Sequence, residues 1–494
     1  MLWYGFIYYF LLLFFVYIFS IYLIRSFYIN SLNFTLISNI IISLSLGFFL
    51  GFFFLSMTIV YYLLDFYSSL SSFSSILNFS TLFFDYNSFN YLINTKYTGF
   101  YLLNIYIFPF VFIFLFVTLL SILFCLAYNT HEIISFVFYC TLILLAGYIV
   151  FSTTSLIIFF LSYELLLIPS FFILYNFAKT RRCVEAAYLM FFWTQFGALF
   201  LILGFLYLFF STNSTSFHAF NDYFFTSFEL NFIFICLIFG FGVKLPIWPF
   251  YGWLPKAHVE ASTNFSIFLS GVLVKFAFFG LLKCLILIQL EPTFFYIYPF
   301  LTVGLTDALF KLFYQIDLKK LVAYSTVVEM HWLTICIISG QSALMLAGFC
   351  MLISHALLST NSFLLVDGIG RRFKTRLITE INGINYLCPK LFLVSLVNLL
   401  VFLGFPGSIM FVAEILFFSF FFDLYPLLSI WFIFLLYLVG PTIFFRTWAN
   451  VLFGSSKHLL FSLPVDLSSK ELIIYAGIIV LMFWLGLTWQ MFVF

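Results

Sequence analysis

Leu230 to Leu287 runs LNFIFICLIFGFGVKLPIWPFYGWLPKAHVEASTNFSIFLSGVLVKFAFFGLLKCLIL: two apolar segments of membrane-spanning length, with Lys244 inside the first and Lys275 inside the second. About 20 consecutive apolar residues are needed to cross a hydrocarbon layer roughly 30 Å thick. In the first segment, Gly242-Val243-Lys244-Leu245-Pro246-Ile247-Trp248-Pro249 places two prolines just after the lysine. Each proline removes a helical N–H donor, so the helix is expected to break there. Backbone freed at membrane depth is tolerated only where protein or a water-filled cavity satisfies it. The stretch therefore predicts helices packed in a bundle whose interior carries charge.

The rest of the chain agrees with a lipid solvent. Of its 494 residues 65% are hydrophobic and 8% are charged, against about 25% charged in an ordinary soluble domain. The formal net charge of +2 offers no basic face for nucleic acid. Eight cysteines are scattered singly with no Cys-x-x-Cys and no Cys/His cluster at metal-ligand spacing, and they read as core packing residues. Met1 to Arg25 lacks a basic leader and a small-residue cleavage site, so it is expected to be a first helix. No Arg-rich transit segment precedes it, which points to a protein made and inserted within the organelle that houses it.

About fourteen spans are expected. They lie near Trp3–Ile24, Ile37–Leu64, Phe100–Ala127, Ile133–Phe151, Ser155–Phe177, Ala186–Phe210, Leu230–Trp253, Asn264–Leu287, Thr293–Phe313, Leu318–Gly340, Ser342–Val366, Pro389–Phe422, Leu424–Phe453 and Leu472–Gln490. Period-2 strands are absent from the pattern, so the fold class is an all-α polytopic membrane protein. Ser68–Thr98 and Ser211–Glu229 read as polar loops on one side. Lys179, Arg181 and Arg182, then Lys319 and Lys320, then Arg371, Arg372, Lys374 and Arg376 all follow odd-numbered spans, which the positive-inside rule puts on the matrix or cytoplasmic side.

Six ionisable groups fall near the middle of spans: Glu164, Lys244, Lys275, Glu329, His355 and Glu414. A charge at that depth costs a few kcal/mol even on lenient scales. Interhelical pairing, for instance of Glu164 with Lys244, explains two such groups but not a row along successive helices. A row of titratable groups is what a proton path requires, since each proton steps between sites of alternating occupancy. The twelfth span is also interrupted, by Gly404-Phe405-Pro406-Gly407-Ser408 ahead of Glu414. Glu164 precedes Lys244, and Glu329 precedes Glu414, by nearly equal separations, each ending beside a broken helix two spans on. With five spans between the copies, the second runs in the opposite direction, as in an inverted-topology repeat. The expected organisation is helices 1–3 over residues 1–130, a first five-helix repeat over 131–288, a second over 289–453, and a loop with a last helix over 454–494. Asp307 and Lys311 read as a local i, i+4 pair, and His258 and Glu260, in the loop after Trp253, equally as gate residues or as loop-packing residues.

Three motifs bring a resemblance. Val243–Lys283 with its core Trp253-Leu254-Pro255-Lys256-Ala257-His258-Val259-Glu260-Ala261, Asp317–Met330 (DLKKLVAYSTVVEM) and Ser162–Pro169 (SYELLLIP), with Ile353–Ser359 (ISHALLS) beside them, resemble the antiporter-like subunits of respiratory complex I and the Mrp antiporters. The likeness covers roughly Leu156 to Glu414. It implies an ion pair of Glu164 with Lys244 controlling proton input, Lys275 as the connecting lysine, His355 in a central relay, and Glu414 as the output site. Most of the family carries Lys at that last position, and Glu there marks one complex I subunit. A length of 494 leaves no room for the long lateral helix of another. The family's tenth-helix His is replaced by Glu329, and His331, two residues on and about 200° round the helix, is expected to face elsewhere. The first 130 residues match no motif.

The resemblance implies a proton-translocating membrane-arm subunit that couples NADH:ubiquinone electron transfer to pumping, in the mitochondrial inner membrane, with no cofactor on this chain. Its implied partners are other membrane-arm subunits, especially the antiporter-like subunits 2 and 5 and the lateral helix of subunit 5, with lipids such as cardiolipin. The alternatives are an Mrp-type cation/proton antiporter and a purely structural membrane scaffold.

Overall fold

Helix is the only regular structure among the described residues, apart from two isolated antiparallel bridges, Ser155 with Ser216 and Asp317 with Leu377. Lipid supplies no hydrogen bonds, so a spanning segment must satisfy its backbone internally. The computed structural model describes residues 133–454 and 464–488, apart from 179, 221, 222, 224 and 289–296, with a few positions between 114 and 121. The spans expected at Trp3–Ile24 and Ile37–Leu64, most of Phe100–Ala127, and the loop Ser68–Thr98 lie outside them. The chain divides into two units, residues 1–144 and 145–494, and the second contains all six ionisable residues expected at mid-depth.

The helices of the second unit are α1 (Ile133–Ser152, which begins in the first), α2 (Leu156–Leu165), α3 (Leu167–Asn176), α4 (Arg181–Thr212), α5 (Ser227–Lys244), α6 (Trp253–Glu260), α7 (Thr263–Phe268) and α8 (Val274–Ile288). They continue as α9 (Ile297–Phe313), α10 (Leu318–Ile338), α11 (Ser342–Phe373), α12 (Pro389–Phe402), α13 (Ile409–Leu424), α14 (Pro426–Ile433), α15 (Gly440–Phe453) and α16 (Ser469–Leu487). Eight stretches among the described residues are long and apolar enough to span a bilayer. The protein is an all-α polytopic membrane protein.

Several spans read as continuous are segmented. The fifth kinks at Leu166 between α2 and α3, because Pro169 offers no N–H to the carbonyl of Leu165. The eighth holds a π turn, Leu269–Leu273, between α7 and α8. The thirteenth holds another, Phe434–Val439, between α14 and α15, just ahead of Pro441, whose ring crowds the carbonyl of Tyr437. The seventh and twelfth spans, by contrast, break where expected, between α5 and α6 and between α12 and α13, at the Gly/Pro clusters. His258 and Glu260 are not loop residues: they close helix α6, since Trp253–Glu260 holds only one proline, near its start, where a missing N–H does no harm.

Burial grades from the periphery to the centre. The α7–α8 span and α10 are 94% buried within the protein, whereas α4 is 39% and the α14–α15 span 28% buried. The centre is built by α10 between α9 and α11, with α11 also packed on α13 and on the π turn after α7. Charged side chains on α8, α10 and α11 are thereby kept from lipid, where they would be most costly.

Loop hydrogen bonds tie helix ends in pairs. Leu156 N donates to Thr215 O at 2.8 Å and Phe217 N to Thr154 O at 3.0 Å. In the later part of the chain Leu318 N donates to Arg376 O at 3.0 Å and Ile378 N to Ile316 O at 2.9 Å.

Candidate functional site

The groups freed by the break after α5 find partners close by. Pro246 cannot bond the carbonyl of Gly242, so Ile247 N takes it instead at 3.0 Å. That leaves the carbonyl of Val243, which accepts from Trp253 Nε1 at 2.8 Å. The amide of Trp248, deprived of its own helical acceptor, donates to His331 Nε2 at 2.8 Å. Lys244 is the last residue of α5, where the free carbonyl end of a helix favours a cation. Its Nζ lies 3.1 Å from Glu164 Oε1 and donates to Tyr163 O at 3.3 Å. It also sits 3.6 Å above the Tyr163 ring. The other carboxylate oxygen of Glu164 accepts from Gln195 Nε2 at 3.3 Å.

A second constellation lies on the central helices. The π turn makes Val274 N bond Leu269 O, five residues back, which frees the carbonyl of Ser270. Lys275 Nζ fills that acceptor and lies 2.6 Å from His355 Nδ1 on α11. Lys275 is fully buried. The far nitrogen of the same imidazole, Nε2, stands 3.9 Å from Glu329 Oε2 on α10. That separation is too long for a hydrogen bond, and neither atom has another partner.

Glu329 also lines a cavity of about 50 Å³ whose lining includes Glu414 and Tyr437. That space suits roughly three or four waters. The Tyr437 hydroxyl donates to Glu414 Oε2. Gly404, in the break before α13, has φ +70° and presses against the Glu414 carboxyl, so a Cβ there would collide with it. Glycine is required on both counts.

The six ionisable residues thus fall into Glu164 with Lys244, Lys275 with His355 and nearly Glu329, and Glu414, which lines the same cavity as Glu329. Among the described residues no group of three or more His, Cys, Asp or Glu could hold a metal ion.

The model of the family described as "NADH:quinone oxidoreductase/Mrp antiporter, TM" matches residues 153–440, which hold all six of these residues and both breaks. The chain belongs to this family. Within the NADH:quinone oxidoreductase/Mrp antiporter family it is similar to NADH-ubiquinone oxidoreductase chain 4 of Paramecium tetraurelia, at 37% identity over 67% of this chain and 70% of that one. Among solved structures it resembles a chain of respiratory complex I from Thermus thermophilus, with TM-score 0.66 and 19% identity over 78% of this chain and 82% of that one. It also resembles a chain of the membrane-bound sulfane sulfur reductase, an archaeal respiratory membrane complex, with TM-score 0.68 and 22% identity. There the likeness covers 77% of this chain and 64% of that one, a little under two-thirds.

Some interior residues of this family member gave no signal in the sequence. Lys283 is buried on α8 and donates to the carbonyls of Val150, Phe151 and Thr153 at 3.1, 3.2 and 2.6 Å, capping the end of α1. It is the last of four lysines between Lys244 and Lys283, and its place near a helix end hid its burial. Tyr437 and Gln195 carry no charge, so the depth argument passes them over. Asp307 and Lys311 do pair at 2.8 Å, yet Tyr251 from the segment after the break joins them, donating to Asp307 and accepting from Lys311.

Proposed function

We propose that the chain is the chain-4, proton-translocating subunit of the membrane arm of respiratory complex I, coupling NADH:ubiquinone electron transfer to proton pumping. The observation that carries the reading is the series Lys275–His355–Glu329 on the best-buried helices, continued through a mainly apolar cavity that Glu329 shares with Glu414. Interhelical glue would need only pairs. Here one imidazole addresses a lysine with one nitrogen and a carboxylate with the other, which is the arrangement for passing a proton from nitrogen to nitrogen.

In this reading Glu164 holds Lys244 charged while their pair is closed. Parting the pair leaves Lys244 desolvated without its counter-charge, so it gives its proton onward to Lys275. His355 and Glu329 relay it, and Glu414, released from Tyr437, delivers it at the second break. The residues need no cofactor on this chain, and NADH oxidation belongs to partner chains. The partners proposed are other membrane-arm subunits, in particular antiporter-like subunits 2 and 5 with the lateral helix of subunit 5, and cardiolipin, in the mitochondrial inner membrane.

We further propose fourteen helices with two inverted repeats over 131–288 and 289–453. Four correspondences support the repeat. Each half has an acid on its second helix, a break in its fourth and a π turn in its fifth. Each half also ties the loop before its second helix to the loop after its third, Thr154 with Phe217 in one and Ile316 with Ile378 in the other. An independent Mrp-type antiporter is the weaker reading, because the resemblance puts Lys rather than Glu at position 414 in Mrp relatives.

The test is Glu414→Gln in the assembled complex, which keeps size and hydrogen bonding but cannot titrate. Assembly should survive while protons pumped per electron pair fall. A parental ratio in a fully assembled Glu414→Gln complex would make this carboxylate structural and sink the output role.

A further inference from the structure

We infer that His331 is a positioning residue that pins the broken seventh span to the helix carrying Glu329. The inference rests on the proton-translocating reading for its consequence, but not for its geometry. Both ring nitrogens are committed. Nδ1 lies 2.8 Å from the carbonyl of Val327, one turn back on the same helix, so it carries the proton and donates. Nε2 is then the acceptor, and it receives the Trp248 amide at 2.8 Å. That amide is the donor orphaned by the break, four residues past Lys244. His331 is completely buried, so no water competes for either bond.

The surroundings are built for this contact. Gly304 on α9 lies directly against His331 Nε2 and the Cβ of Trp248, and a methyl group there would overlap both. The ring of Tyr251, from the short 3-10 turn that follows the break, meets the His331 ring edge-on at 6.1 Å between centroids. Its hydroxyl continues to Asp307 and Lys311 on α9. The break is therefore gripped between α9 and α10.

The position matters because α10 presents Glu329 on one side and His331 on the other. One helix thus holds the carboxylate of the central relay and the end of the segment that places Lys244. Fixing Trp248 fixes where α5 stops, and with it the reach of Lys244 to Glu164.

The experiment uses the assembled complex in lipid nanodiscs and compares His331→Leu, His331→Gln and Gly304→Ala with the parent. Hydrogen exchange of the peptide spanning 245–252 reads the pin directly. Exchange at the Trp248 amide should rise about tenfold in His331→Leu. His331→Gln, whose side-chain carbonyl can still accept, should stay near the parent, and Gly304→Ala, which keeps the imidazole but pushes a methyl group against it, should behave like the leucine variant. Pumping per electron pair should fall in the leucine and alanine variants and be rescued by glutamine. Unchanged exchange in assembled His331→Leu would overturn the pin whatever the pumping does. Raised exchange with a parental pumping ratio in all three would overturn the positioning role. Failure of Glu414→Gln to alter pumping would instead touch only the proposed function.

Discussion

Glu164 and Lys244 have side chains only 18% and 13% exposed, so each neutralises a charge the other could not carry alone at that depth. Removing one partner of such a pair costs about 3–5 kcal/mol, whereas replacing both by apolar groups of similar size is often neutral. Glu164→Gln should therefore lower the thermal stability of the assembled complex, and Glu164→Gln with Lys244→Met should recover most of the loss. Equal stability of the single and double variants would show that the two charges are not coupled. Lys283 makes a different case. Lys283→Met strips three carbonyls at the end of α1 of their cation, so proteolysis or exchange near 150–155 should rise while the pumping ratio stays parental, since no relay group touches it. The burial of Glu164, Lys244, Lys275, Glu329, His355 and Glu414 inside the helices was legible because charge is rare in this chain. Tyr437 was not, because a tyrosine among 31 carries no such signal.

Breaks at clusters of Gly and Pro were readable, whereas those beside a single proline, at Pro169 and Pro441, and those that packing enforces were not. Pro246 and Pro249 end α5, and Gly404 to Ser408 interrupts the twelfth span, as their chemistry requires. The π turn at Leu269–Leu273 has no such marker; one extra residue is accommodated because α11 packs on that turn and Lys275 takes up the freed Ser270 carbonyl. Gly404→Ala probes the second break without touching a charge. It forces a Cβ residue to φ +70° and drives the methyl group into the Glu414 carboxyl; the backbone conformation alone costs about 1 kcal/mol. Pumping should fall about as far as in Glu414→Gln although the carboxylate is still present, and an assembled Gly404→Ala complex with parental pumping would show that the carboxyl has room to move. Gly486 on α16 makes a second demand on the same break, since a Cβ there would meet the backbone of Gly407, Ser408 and Ile409. The last helix thereby fixes the interruption from outside.

Over the whole molecule, the class of protein and the direction of burial follow from composition, but the sharing of work among helices does not. In the spans that carry the proposed relay residues on α8 and α10, 94% of the residues are buried, while in the α14–α15 span only 28% are. Mild-detergent isolation should accordingly recover the chain inside an assembly that oxidises NADH, and recovery of the chain alone with cation/proton exchange activity would favour the Mrp reading. A continuous wire of protonated groups across a bilayer would be a short circuit, discharging the very gradient it serves. At roughly 2.3 kcal/mol per proton for each 100 mV, even a rare leak would waste the work of electron transfer. The 3.9 Å between His355 and Glu329 leaves the two atoms nearest each other without a hydrogen bond. In the proposed pump that gap is an open switch: it insulates one aqueous side from the other at rest, and a shift of little more than about 1 Å would close it to a bond of ordinary length for the moment of transfer.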